Sequence, residues 1–236
     1  MNVLLLSAHD IDGQTAMMQD AVQVEHIKHV LNADVGDTLK IGELGGQLGT
    51  GVIDFIDDKV VLREVRLDAP PPTKLGVTLV LALPRPKVLR RLIMDMTAIG
   101  VNHIVLVNSY RTDKSYWGSP LLARLDEFVQ EGLQQGVDTI APKITLAKRF
   151  KPFVQDELPS LIRDRAVVCH PYADETFYAY SQVHGLPDLI VIGAEGGFIP
   201  YEIELLASVG VTALGLGQRI LRTESAVNAV LGRYLS

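Results

Sequence analysis

Cysteine is nearly absent from this chain. Its one thiol, Cys169, in 236 residues rules out an internal disulfide framework, which fits a reducing compartment. Long apolar runs are missing too, since no stretch approaches the roughly 18 residues that a membrane-spanning helix needs. The opening MNVLLLSAHD has an apolar patch but no basic start and is too brief for a secretory signal, so the expected location is the cytoplasm, away from any membrane. Basic excess is lacking as well. Lys and Arg number 22 against 28 Asp and Glu, a formal charge of −6, and such a field repels nucleic acid unless positive charge gathers on one face. His26 and His29 stand three apart, yet no Cys or carboxylate pair at ligand spacing accompanies them, so no metal site is expected.

What is present is a change of rhythm. The first seventy residues hold short β-rich segments, DTLKIG, GQLGTGVIDFI and KVVLREVRL, separated by Gly and Asp turns, with one helical stretch before them at AVQVEHIKHVL; together they read as a small β-rich module. Ala69–Pro72, APPP, is a stiff linker because successive prolines favour extended geometry. Residues 1–70 and 73–236 are therefore expected to form separate domains. After the linker, apolar strands such as GVTLVLALP, HIVLVN, AVVCH and DLIVIG alternate with amphipathic helices such as KVLRRLIMDMTAIG. That alternation predicts an α/β domain with a mostly parallel sheet covered on both faces.

Two glycine-rich turns close the chain, Gly193–Gly197 (GAEGG) and Leu214–Gln218 (LGLGQ). Neither is a nucleotide phosphate loop: G-x-x-x-x-G-K-[ST] is absent, and a dinucleotide fingerprint would follow the first strand rather than the last ones. Glu195 inside the first turn opposes a pyrophosphate, so a cofactor with a cationic or neutral body, such as S-adenosylmethionine, suits it better. Spacing alone favours a plain strand-to-helix turn at both places. The whole stretch says more. IGAEGGF, with Glu202 shortly after, and the eleven residues LGQRILRTESA resemble the 16S ribosomal RNA uracil-N3 methyltransferase family of the SPOUT superfamily, whose motif reads L-G-x-R-I-L-R-T-E-T-A. HIKHVLNADVGD is similar to that family's H-x-x-x-V-L-R-x-x-x-G-D in its PUA-like amino-terminal domain, so the likeness spans both domains.

The resemblance implies a SPOUT-type parallel sheet with a deep trefoil knot, preceded by a β-rich PUA-like RNA-binding domain. It also implies a homodimer, ribosomal RNA or the 30S subunit as partner, and an S-adenosylmethionine pocket built from three segments. Carried onto this chain these are Cys169, His170 and Pro171; Ile192, Gly193, Ala194, Glu195, Gly196 and Gly197; and Leu214, Gly215, Leu216, Gly217, Gln218, Arg219, Ile220 and Leu221. Some positions depart from the family. Ala194 replaces a Pro, Ile199-Pro200 a Ser, Asn32 an Arg, and EGLQQGVDT lacks the family's E-Q-S-x-R. Substrate identity is more exposed to those changes than methyl transfer is, so the same fold acting on another RNA is one alternative. A non-catalytic RNA-binding or assembly protein is another, against which the retained GAEGG and LGQRILRTESA argue.

Transfer to uracil N3 requires removal of a weakly acidic proton, for which Glu195, Glu224 and His170 are candidates. Thr223 reads as the N-cap of the last helix, with Glu224 in its first turn. Arg222, at the positive end of that helix, reads as an anion holder able to stabilise a uracil anion. Arg222 and Glu224 are the expected catalytic residues. In LPRPKVLRRLIMDMTAIG a helix puts Val88, Leu89, Leu92, Ile93, Met96 and Ile99 on one face and Lys87, Arg90 and Arg91 on the other, with Arg85 just upstream. These four cations form the expected RNA path, with Lys148, Arg149 and Lys151, or Arg111 and Lys114, as secondary groups. Tyr116 and Trp117 could stack on bases, though loop aromatics more often anchor local structure.

Overall fold

A computed structural model describes residues 2–235. They form two compact units, one made of the chain up to Thr73 together with Gln130–Ala141, the other of Lys74–Val129 and the chain from Pro142 onward.

In the first unit the strands are β1 (Leu4–Leu6), β2 (Ile11–Asp12), β3 (Thr15–Met18), β4 (Thr38–Glu43), β5 (Leu48–Ile56) and β6 (Val60–Ala69), with helix α1 (Ala21–His29) between β3 and β4. They make one sheet in the order β1-β4-β5-β6-β3-β2, parallel only where β1 meets β4. Period-two alternation turns Ala16 and Met18 of β3, and Leu39 and Ile41 of β4, toward the core, as expected of strands with one buried face. The Asp20 carboxylate accepts the Gln23 amide at 2.8 Å and caps α1, whose Val24 and Ile27 complete the core. β1 and the β2–β3 hairpin were not foreseen. Residues 130–141 also pack here rather than with the second domain. The Gln134 carbonyl accepts the amides of Asn2 at 2.9 Å and Val3 at 3.3 Å, and Gly45 N–H donates to Thr139 O at 2.9 Å.

The second unit contains β7 (Thr78–Ala82), α2 (Pro86–Ile99), β8 (His103–Val107), the start of α3 (Leu125–Gly136) and β9 (Lys143–Ala147). A helical stretch follows, α4 (Phe150–Pro152) passing through a π turn (Phe153–Glu157) into α5 (Leu158–Leu161). Then come β10 (Ala166–Cys169), α6 (Phe177–His184), β11 (Leu189–Ile192), α7 (Pro200–Ala207), β12 (Val211–Leu214) and α8 (Thr223–Leu231). The sheet runs β12-β10-β11-β7-β8-β9, with every neighbouring pair parallel. Its central strands are buried on both faces, which is why they read as continuous apolar runs. One face packs Val80, Val105, Val168 and Val191 against Phe150, Phe153, Leu158, Phe198 and Leu206. On α2, Val88, Leu89, Leu92, Ile93 and Met96 are buried as expected, joined by Thr97, while Ile99 is only half-buried. Among the described residues no helix is long and apolar enough to cross a membrane.

Candidate active site

Strand register brings the three separate segments together. Cys169, the last residue of β10, pairs with Ile192 at the end of β11 and with Leu214 at the end of β12. Three parallel strands thus stop at one level, and the loops leaving them share one end of the sheet, where ligands bind in open α/β folds. Ile192 pairs in turn with Leu81 of β7, and Ala82 with Val107 of β8, so the residues after β7 and β8 reach the same end. A cavity of about 710 Å³ lies there, bordered by Cys169, His170 and Pro171, by Ile192–Phe198, and by Leu216 and Arg219–Glu224. Arg85, Arg111, Tyr172 and Ala226 also line it.

The turn after β11 is held from three sides. Gly197 N–H bonds to Ala194 O at 2.9 Å, and Gly197 sits at φ 66°, where a side chain would be strained. A Cβ on Gly193 would stand 3.0 Å from Gly197 Cα, so a side chain there would have to push the turn apart. From outside, Thr223 Oγ1 donates to Gly193 O at 3.3 Å, Arg85 donates from its backbone N and its Nε to Glu195 Oε1 at 3.1 and 3.0 Å, and Arg111 Nη1 donates to Gly196 O at 2.6 Å. Two corrections follow. The N-cap of α8 is Arg222, with extended φ and ψ, and Thr223 is its first helical residue, its buried hydroxyl spent on the turn. Glu195 is paired by Arg85, so its charge does not exclude an anionic ligand as the bare sequence suggests.

The turn after β12 is anchored at its base and open beyond. His170 N–H donates to Leu214 O at 2.9 Å, Gly215 N–H to Glu175 O at 2.8 Å and Phe177 N–H to Gly215 O at 2.8 Å. Past that point Gly217, Gln218, Arg219, Ile220, Leu221 and Arg222 are exposed, Ile220 at 72%. Leu214, Gly215, Gly217 and Gln218 do not border the cavity: Leu214 is buried in the sheet, Gly215 and Gly217 face a smaller one of about 260 Å³, and Gln218 points to solvent. Residues that sequence reasoning missed at the cavity are Arg111, Tyr172, Phe198, Thr223 and Ala226. Arg85, expected on the RNA path, lies at the cavity wall against Glu195.

Burial pushes the Cys169 thiol up to about 12, which keeps it a neutral wall rather than a nucleophile. Burial also lowers the His170 pKa, favouring the neutral ring with a lone pair free to accept a proton. Four guanidiniums, Arg85, Arg111, Arg219 and Arg222, face two carboxylates, Glu195 and Glu224, around the cavity, leaving it cationic. Its volume falls within the roughly 300–1,000 Å³ of small-molecule and cofactor sites. Apolar walls from Ile192, Ala194, Leu216 and Ile220, beside turns stripped of side chains, fit a mostly apolar cofactor body with a few polar ends.

Lys87, Arg90 and Arg91 are exposed on α2, with the Arg90 guanidinium 5.8 Å from the Phe128 ring centroid. Lys148, Arg149, Lys151 and Lys114 are exposed as well. Trp117 Nε1 donates to Asn108 Oδ1 at 2.8 Å, the anchoring role of a loop aromatic. Among the described residues no cluster of His, Cys, Asp and Glu could hold a metal ion.

A parallel α/β domain with a cofactor-sized cavity where three strands end defines a class of small-molecule-binding domain. Residues 71–234 match the model of the RNA methyltransferase domain, and the chain belongs to that family. It is 27% identical over 243 residues to the ribosomal RNA small subunit methyltransferase E of Treponema pallidum, spanning 100% of this chain and 91% of that protein. With ribosomal RNA small subunit methyltransferase E 1 of Borreliella burgdorferi it shares 24% over 234 residues, 97% of this chain and 95% of that one. The crystal structure of a ribosomal RNA small subunit methyltransferase E from Neisseria gonorrhoeae bound to S-adenosyl methionine superimposes with a TM-score of 0.77 at 21% identity, over 99% of this chain and 96% of that chain.

Proposed function

We propose that this chain methylates uracil N3 in small-subunit ribosomal RNA with S-adenosylmethionine as donor. The observation that carries the reading is the convergence of Cys169, Ile192 and Leu214 at one level of the sheet, whose loops enclose a cavity that also borders Arg222 and Glu224. Relatives along the whole chain named for small-subunit ribosomal RNA methylation, and a fold neighbour holding the cofactor, support substrate and donor.

Bound in the cavity, S-adenosylmethionine would supply an electrophilic methyl carbon on a sulfonium. Ile192–Gly197 with Leu216, Ile220 and Leu221 would hold it. The chain must then fix the uracil ring nitrogen in line, which is the larger contribution because held reactants gain effective molarity. Glu195 is engaged by Arg85, which leaves His170 and Glu224 as the lining groups able to take the N3 proton. Arg222, at the positive end of α8, stabilises the charge that develops on the ring.

The first unit acts as a PUA-like RNA-binding module, and the second is threaded as a trefoil knot, both on the strength of the family motifs. A cytoplasmic homodimer completes the reading. Exposed apolar side chains beside the cavity, Tyr172 and Ile220, support a second copy covering them, and light scattering that gives the monomer mass at micromolar concentration would contradict it. One observation favours a different RNA target: EGLQQGVDT carries no Arg, and the Gln134 backbone serves packing instead. Calorimetry with S-adenosylmethionine, followed by labelled-methyl transfer to small subunits from cells lacking the protein, tests the whole reading. Tight binding with label in the RNA is expected; no binding contradicts it.

A further inference from the structure

The loop after β8 has no part in the chemistry above, yet it grips the turn after β11. Buried Ser109 and Thr112 join their hydroxyls at 2.9 Å, and between them Tyr110 N–H donates to Glu202 Oε1 at 2.8 Å. Glu202 is only 3% exposed, and its second oxygen accepts the Ile199 amide at 3.0 Å. A carboxylate buried this deeply must be satisfied by donors, and these two backbone amides tie the loop to the start of α7. From the loop so fixed, Arg111 Nη1 reaches Gly196 O at 2.6 Å. A second observation points the same way. A Cβ on Gly196 would lie 2.9 Å from Arg111 Cβ and 3.1 Å from its Cδ, so the missing side chain at 196 makes room for the stem of that arginine.

Taking the cavity as the S-adenosylmethionine site argued above, we propose that Arg111, seated by Glu202, is a positioning residue for the cofactor turn and not an RNA-phosphate contact. Its charge-assisted bond fixes the Gly196 carbonyl, and with it the peptide plane between Gly196 and Gly197. Without that bond the turn samples other shapes, and binding carries the cost of ordering it.

The test is calorimetry of the full chain with S-adenosylmethionine and S-adenosylhomocysteine, alongside RNA binding across a salt series. Arg111→Ala is expected to weaken both cofactor forms about tenfold while leaving the salt slope of RNA binding unchanged, and KM for the donor should rise with little change in kcat. Arg111→Lys, which keeps a cationic donor, restores most of the affinity. Glu202→Gln turns one acceptor into a donor facing an amide, so it should repeat the loss, and the double variant should bind no more weakly than Arg111→Ala alone, as residues acting through one another do. Should Glu202→Gln fail to fold, the Arg111 pair decides. Cofactor affinity in Arg111→Ala equal to that of the unaltered chain, with RNA binding weakened and its salt slope flattened, overturns the assignment and moves Arg111 to the RNA path. Absence of cofactor binding by the unaltered chain is a different failure, since it overturns the methyltransferase reading itself and this role with it.

Discussion

The turns after β11 and after β12 are both glycine-rich and begin at the same level of the sheet, yet they are built in opposite ways. The first is clamped by Thr223, Arg85 and Arg111 and closed by two glycines, Gly193 where a Cβ would crowd Gly197 and Gly197 at positive φ. The second is pinned only at Gly215 and then runs exposed from Gly217 to Arg222. A turn made rigid before a ligand arrives saves ordering entropy on binding. An open, cationic and apolar turn is suited to a surface that arrives later, whether RNA or a second copy of the chain. On the proposed reading the difference divides labour within one cavity: the first turn would be the preformed part of the cofactor site, while the second would add Leu216, Ile220 and Leu221 to it and offer Arg219 and Arg222 to the substrate.

The sharpest way to break that division is at Gly193. Its Cβ would strike backbone at Gly197, which cannot swing aside, so Gly193→Val should lower cofactor affinity by at least about a hundredfold. Gly196→Val, whose Cβ would lie 2.9 Å from Arg111 Cβ, an atom held by its own backbone, should cost about as much; full affinity by calorimetry would show that the turn yields there. In the open turn, Arg222→Ala should lower the methyl-transfer rate on bound RNA by about a hundredfold with cofactor affinity retained. A comparable drop in cofactor affinity would place Arg222 with the first turn instead.

Smaller effects sharpen the picture. Replacing Arg90 and Arg91 by Glu should weaken RNA binding and flatten its log–log salt dependence by about one to two units, because fewer counterions are released, while cofactor affinity stays the same. An unchanged slope would make that face of α2 ordinary solvated surface. The pH dependence separates the proton acceptors. Protonated imidazole cannot accept the N3 proton, and burial lowers the His170 pKa; if His170 is the base, kcat falls as pH drops through a value below about 6.5, the ordinary histidine pKa. That limb should vanish in His170→Gln. An unchanged limb in that variant would exclude His170 as the base.

Much of this was legible in the residues because periodicity reports burial. The continuous apolar runs of β7, β8, β10 and β11 and the stripe on α2 each had one physical explanation. The first unit was harder. β1 is three residues long and β2 two, too short for alternation to register, although Gly13, at φ 57° and the first of the two residues between the paired Asp12 and Thr15, carried the hairpin signal. Residues 130–136 continue the amphipathic pattern of α3, and nothing in that pattern says which core the buried face will join. At the site, the motif marked which loops mattered but not what holds them. Arg85 and Arg111 lie 110 and 85 positions from the groups they grip, a distance that strand register alone closes. Thr223 was read as a cap because a hydroxyl before a helix usually is one; its tertiary partner at Gly193 leaves no local trace.

The most direct measurement is nucleoside mass spectrometry of small-subunit ribosomal RNA from cells with and without the protein. The account predicts N3-methyluridine in the first sample, its loss from the second, and its return when the purified chain and S-adenosylmethionine are added to the unmodified subunits. Identical nucleoside profiles in the two samples would contradict it.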